Sequence, residues 1–166
     1  MPTVNPQVAG SSPARGATKY NMYKRLTATG SCMCGNIKFK SHIEPDKSTI
    51  CHCTDCQKMS GSAFTTAIHT NNIEVTCIKS NPSYHTRRAD SGNVRRLAFC
   101  PECGTNLWGE NAGEPKQYGL RLGALDEEFR PLIKPVRQIW CNSAIPWAIS
   151  ADTSIDKYPV QNPPKQ

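Results

Sequence analysis

Seven of the nine cysteines fall into three tight clusters. The first is Cys32-Met33-Cys34, flanked by Gly30 and Gly35. The second is Cys51-His52-Cys53-Thr54-Asp55-Cys56. The third is Cys100-Pro101-Glu102-Cys103-Gly104. The third has the form of a zinc knuckle: two residues separate the sulfurs, and the glycine after the second lets a tight turn aim both at one metal. A closed tetrahedral site needs two more ligands, and Cys32 and Cys34 can supply them. On extended backbone, residues i and i+2 face the same side, so a Cys-x-Cys pair can chelate.

The second cluster then keeps three sulfurs of its own. Three protein ligands with an open position are the coordination logic of a catalytic zinc. If Cys51 and Cys53 face a metal from an extended segment, His52 points away from it. Asp55 can reach, but a carboxylate added to three thiolates raises the negative charge further. Spacing leaves other arrangements open: disulfides, one polymetallic or iron–sulfur cluster, or two structural zincs with Cys77 closing the second. It also leaves open which pair joins the knuckle. Cys77 and Cys141 lie outside the clusters and read as buried apolar thiols.

The elements that must carry these clusters are short. Thirteen prolines and eleven glycines in 166 residues favour strands and turns over long helices. Residues 36–43 put Ile37, Phe39 and Ile43 on one face, a half-buried strand. Residues 62–69 read as a second strand anchored by Phe64 and Ile68. In 73–78, Ile73, Val75 and Cys77 share a face. Residues 84–88 and 94–99 form a hairpin around Asp90-Ser91-Gly92-Asn93. Further strands are expected at 105–109, 117–122 and 133–140, and at most one helical turn at 126–129. Trp108, Trp147 and Phe64 are expected in the core. The overall pattern is mainly β and antiparallel.

Length and composition bound the rest. The chain fits one domain of 23–160, with a disordered tail at 1–22 and a flexible one at 161–166. At 37% hydrophobic, its core benefits from a metal cross-link. No stretch approaches the ~20 apolar residues of a membrane helix. The N-terminus lacks the apolar core of a secretory signal, so a reducing, cytoplasmic location is expected. The charge of +7 suits acidic partners. The basic residues form only doublets, such as Arg87-Arg88 and Arg95-Arg96, so nucleic acid is not the expected partner.

At the three clusters the chain resembles the glutathione-dependent formaldehyde-activating enzyme family, which also includes centromere protein V. The matching motifs are Gly-Ser-Cys-Met-Cys-Gly at 30–35, Cys-His-Cys-Thr-Asp-Cys-Gln-Lys at 51–58 with Ser60-Gly61-Ser62, and Phe-Cys-Pro-Glu-Cys-Gly-Thr-Asn-Leu at 99–107. Weaker matches follow at 119–126 and 135–147. The resemblance implies an Mss4-like fold of coiled antiparallel strands stapled by zinc. It implies one structural zinc on Cys32, Cys34, Cys100 and Cys103, and a second, catalytic zinc on Cys51, Cys53 and Cys56. Glutathione and an aldehyde would meet near the second. The chain departs from the pattern at Gln138-Ile139-Trp140, where many relatives carry His before the aromatic.

The chemistry so implied makes or breaks a carbon–sulfur bond: a thiolate attacks an aldehyde carbon, or the adduct is cleaved by a lyase. His52 and Lys58 are the candidate acids and bases, and Gln57 and Lys58 the candidate ligands of a glutathione carboxylate. The competing reading is a non-catalytic zinc-stapled module that docks protein or nucleic acid. A lyase acting on another thiol-bearing metabolite is the nearer alternative.

Overall fold

The computed structural model describes residues 25–89, 92–113 and 116–161. The expected tail at 1–22, the domain start at 23 and most of the tail at 161–166 lie outside these, as do Asp90 and Ser91 of the hairpin turn. The protein is mainly β, as the sequence predicts, and the described residues form two sheets. Three strands make the smaller sheet, in order β1 (Leu26–Ser31), β2 (Ile37–Ile43), β5 (Glu74–Cys77). The strict alternation of β2, with Ile37, Phe39, Ile43 and Ser41 buried and Lys38, Lys40 and His42 exposed, sets which face meets the core.

The larger sheet has eight strands. From one edge it runs β11 (Asp156–Lys157), β10 (Arg137–Ile139), β3 (Ser48–Cys51) and β4 (Thr65–Thr70). It continues through β9 (Tyr118–Arg121), β8 (Asn106–Asn111), β7 (Val94–Phe99) and β6 (Ser83–Arg88). Most pairings are antiparallel, but β10 runs parallel to both β3 and β11. The strand expected over 133–140 is therefore shorter and differently paired than its pattern suggests. Pro135 interrupts it, and a proline contributes no N–H to a ladder. The expected hairpin is present as β6 and β7, and the strand at 62–69 begins only at Thr65.

One helix, α1 (Thr54–Ser60), stands inside the second cysteine cluster, where no helix was expected. Its boundaries have local causes. Cys53 caps the N-terminus, its sulfur accepting the Cys56 N–H at 3.4 Å. Gly61 ends it in the left-handed conformation at φ 61°, donating to the Gln57 carbonyl. Thr65 Oγ1 and Asn106 Nδ2 then donate to the Cys56 and Met59 carbonyls, fastening the helix to the large sheet.

The core lies between the sheets. Ala28, Ile37, Phe39 and Ile43 meet Ile68, Ala98, Trp108, Leu120 and Leu125 there. Phe39 packs edge-on to Trp108 at 6.1 Å. A bulge in β8 pairs Ala98 with Trp108 but Phe99 with Asn106, and both Leu107 and Trp108 end up buried. The Trp108 indole N–H donates to Glu110, which also pairs with Arg96. Trp147 departs from expectation: it is 77% exposed on a 3-10 turn at Pro146–Ala148, which nothing among the described residues covers. Val75 is also 39% exposed, since β5 is an edge strand.

Gly30 is the tightest crossing. A Cβ there would overlap the Ala124 carbonyl oxygen and the Phe39 ring, where Gly30 bridges to Leu125. Overpacking a site of this kind costs about 1–3 kcal/mol. Gly30→Ala is therefore expected to lower the unfolding free energy by about that amount, seen as a lower urea midpoint with an unchanged slope by circular dichroism.

Candidate functional site

Two turns bring the first sulfur set together. Between β1 and β2, Gly35 takes φ 74°, its N–H bonded to the Cys32 carbonyl at 3.0 Å. Between β7 and β8, Gly104 takes φ 72° and donates to the Cys100 carbonyl at 2.8 Å. The Sγ atoms of Cys32, Cys34, Cys100 and Cys103 all lie within 4.8 Å of one another. Cys32 and Cys34 are 3.5 Å apart, and Cys34 and Cys100 3.7 Å. Tetrahedral sulfurs at about 2.3 Å from zinc sit about 3.8 Å apart, so this donor set fits such an ion. The Ile37 N–H points at the Cys32 sulfur from 3.2 Å, a bond that favours thiolate.

The second set comes from the end of β3 and the start of α1. Cys51, Cys53 and Cys56 also hold their sulfurs within 4.8 Å of one another, and all three are half-buried. Among the described residues, no His, Asp or Glu joins either set. Asp55, the nearest carboxylate in sequence, is bound instead to the Arg87 guanidinium. Cys77 lies on β5 opposite Ile37, in the other sheet, and packs against the core. Cys141 is half-buried with its sulfur near the Gln138 carbonyl, at 3.7 Å.

The three thiols influence one another strongly. Cys51, then Cys56, lower Cys53 to about 2, with Arg87 assisting. The same contacts, from Cys53 and then Cys56, push Cys51 far above the ordinary thiol value. The ionisation of each thiol is thus tied to its neighbours, and a divalent cation would share the negative charge among all three.

His52, between Cys51 and Cys53 in the chain, is fully buried. Its Nε2 lies 3.0 Å from Gln138 Oε1, and that oxygen also accepts the Ser150 N–H at 3.1 Å. With Oε1 as the acceptor, Nε2 carries the ring proton. The ring stands edge-on to Phe64 at 5.7 Å, and its Nδ1 is buried without a partner. The His52 N–H bonds the Ile139 carbonyl at 3.0 Å, completing the parallel β3–β10 register. Gln57 spends its amide on two carbonyls, of His52 at 2.7 Å and Ser143 at 2.9 Å. Lys58 is exposed. Two residues past Cys56, it lies about 200° round the helix from it.

Arg121 is the residue that sequence reasoning missed. It sits on β9 opposite Ala67, half-buried, with Nε shielded from water and unpartnered. Burial lowers its guanidinium below the ordinary value, against the opposing pull of Cys56, Cys51 and Cys53. The available signal was alternation: an arginine two residues after Gly119 in an apolar strand shares that glycine's face. Of the four hairpin arginines, Arg87 and Arg95 are paired across β6–β7 on one face, while Arg96 turns to Glu110 and the Tyr84 ring on the other.

Surface clefts beside β1, β2 and β5 and around His42 contain no cysteine, so the sulfurs and not cavity size mark the site. The fold and the site define a mainly β protein with a four-sulfur and a three-sulfur set, each able to hold a metal ion. The sequence model of one family, described as glutathione-dependent formaldehyde-activating enzyme, matches residues 27–143, and the chain belongs to that family. The match spans both sulfur sets. A fission-yeast protein from Schizosaccharomyces pombe, named "Uncharacterized lyase C29B12.13", is 33% identical over 79 residues. That alignment covers 48% of this chain and 54% of the relative, so the chain spans about half of that protein. A crystal structure of a Rhodobacter sphaeroides protein is similar at 18% identity and TM-score 0.47, covering 60% of this chain and 88% of that one.

His69 reports the field on this face of the large sheet. Its Nε2 meets Thr49 Oγ1 at 3.0 Å. Part of the residue is exposed, yet crowding of the ring, then the positive fields of Arg137, Arg95 and Arg121, lower it to about 4. Its imidazole is expected to stay neutral through neutral pH and to titrate with a midpoint near 4 by proton NMR. In Arg95→Gln, one repelling charge is gone, so the midpoint should rise towards the ordinary value.

Proposed function

We propose that the protein is a zinc-dependent carbon–sulfur lyase or synthase acting on a thiol–aldehyde adduct, with S-(hydroxymethyl)glutathione as the adduct. One observation carries this reading: Cys51, Cys53 and Cys56 present three converging sulfurs, while Arg87 draws away the carboxylate best placed to join them. The family description and the lyase name of the yeast relative support it.

Zinc held by these three sulfurs would favour the thiolate form of an incoming thiol and keep its sulfur at the site. The chain's own residues position that event. Cys51 is fixed by the β3 ladder, Cys53 by its capping role, and Cys56 by the first turn of α1. In this reading His52 acts as a positioning residue: its ring, locked on Gln138 and Phe64, holds the backbone between Cys51 and Cys53. In the synthetic direction the thiolate sulfur forms a bond to the aldehyde carbon, and the carbonyl π pair moves to oxygen. The alkoxide then takes up the proton that the thiol gave. Lysis reverses each step. Solvent at the half-buried mouth is the proposed proton carrier, since Lys58 stands on the far side of the helix from Cys56, and Gln57 holds the helix in place.

The four-sulfur set is proposed as structural zinc, since Cys32 and Cys100 belong to the hydrophobic core. Metal analysis of the full chain is expected to give two zinc ions. Cys53→Ser should lose about one, keep the β-sheet circular dichroism and lose exchange between formaldehyde and glutathione, read by NMR. Cys100→Ser should lose metal and fold together. Unfolding of Cys53→Ser, or full exchange in it, would sink the catalytic assignment.

A further inference from the structure

We infer that Arg95 and Arg121 form an anion subsite beside the three-sulfur set, built to take a carboxylate of the substrate thiol. The register places them together. Leu97 pairs with Gly109, and Gly109 with Gly119. Arg95 lies two residues before Leu97, and Arg121 two residues after Gly119, so both side chains rise from one face over a floor of two glycines. A Cβ built on Gly109 would lie 3.2 Å from Arg121 Nη2 and 3.8 Å from Arg95 Nη2. Both guanidinium groups therefore reach the same small region, and the absence of a side chain on Gly109 leaves that region to them.

Two half-buried cations so close repel each other, and proteins normally answer with an acid. The neighbouring arginines show this: Arg87 binds Asp55, and Arg96 binds Glu110. Arg121 instead has a shielded, unpartnered Nε and one Nη2 contact, to the soft Met59 sulfur at 3.5 Å. Arg95 is likewise half-buried, and Glu110 faces the opposite side of the sheet, towards Trp108. A planar guanidinium is shaped for bidentate binding of a carboxylate, and two of them over one point favour an anion strongly. Arg121 lies opposite Ala67 on β4, and Thr65, two residues before Ala67, lies opposite Cys51, so the subsite and the sulfurs share one face of the sheet. The Arg121 contact to Met59 ties it to the helix that carries Cys56. A thiol held there by its sulfur can place a carboxylate a few bonds away between the arginines. The enzyme would then select acidic thiols over neutral ones.

This inference rests on the reading of Cys51, Cys53 and Cys56 as the thiol site, and two separate measurements keep the two apart. In the first, zinc-loaded full-length protein labelled with 15N-arginine is titrated with propionate, a carboxylate without sulfur, and with 1-propanol as control. Saturable shifts of the Arg95 and Arg121 Nε–H signals are expected with propionate alone. In the second, cobalt-substituted protein is titrated with 3-mercaptopropionate and with 2-mercaptoethanol, following the visible spectrum. The acidic thiol is expected to bind roughly tenfold tighter, an advantage lost in Arg95→Gln and kept in part in Arg121→Lys. If propionate moves neither arginine and the two thiols bind alike, the subsite is wrong while the thiol site stands. If propionate binds but neither thiol alters the cobalt spectrum, the subsite stands and the thiol site is wrong. Should a variant fail to fold, the wild-type titrations decide the matter alone.

Discussion

The convergence of four sulfurs from two distant turns is the constraint on which the architecture depends. Cys34 and Cys100 are 66 positions apart in sequence and 3.7 Å apart in space. One pair leaves the small sheet and the other leaves the large sheet, so their meeting sets the distance between the layers. Cys32 and Cys100 are themselves part of the core, touching the same cluster as Ile37 and Trp108. Ordering such a chain costs conformational entropy that a 37% hydrophobic composition offsets only narrowly. A metal on this set would add its binding free energy to folding, because the unfolded chain holds no preformed site.

The three-sulfur set is built differently, by a relay of polar contacts from the C-terminal part of the chain. Gln138 holds His52 and Ser150 with one oxygen, and Gln57 reaches from α1 to the Ser143 carbonyl. The parallel β10 strand puts Ile139 opposite Cys51. Gln138 thus supports the sulfurs from behind, through His52. That placement explains why a side chain far along the sequence governs the geometry at residues 51–56.

The legible parts of the sequence were those with local causes. Alternation in 37–43 and the paired arginine segments gave β2 and the β6–β7 hairpin, and Cys-x-x-Cys-Gly gave the knuckle. The three-sulfur set was legible from its spacing, although the helix inside it was not: seven residues carry no apolar periodicity, and the caps that define α1 are a cysteine and Gly61. Pairing was less legible. Nothing local distinguishes a parallel strand at 137–139 from an antiparallel one, because its partner lies 88 residues earlier, with Arg137 opposite Thr49. Trp147 followed composition into the expected core, but no layer of the described residues covers its turn. Arg121 stayed hidden because its meaning lies across three strands, in its relation to Gly109 and Arg95.

Charge finally decides what the three sulfurs can do. Three thiolates around a dication leave a net negative site, which by itself repels an anionic thiol. The chain surrounds that site with Arg87 and Arg121 and neutralises Asp55 in the process. The local balance therefore shifts towards positive without adding a fourth protein ligand. In the proposed reading, this is how an electron-rich sulfur site can still attract a second thiolate: the sulfurs supply affinity for metal, and the sheet supplies the counter-charge. The glycines of β8 and β9 keep that counter-charge within reach, since a side chain at 109 would crowd the Arg121 guanidinium, 3.2 Å from where its Cβ would sit.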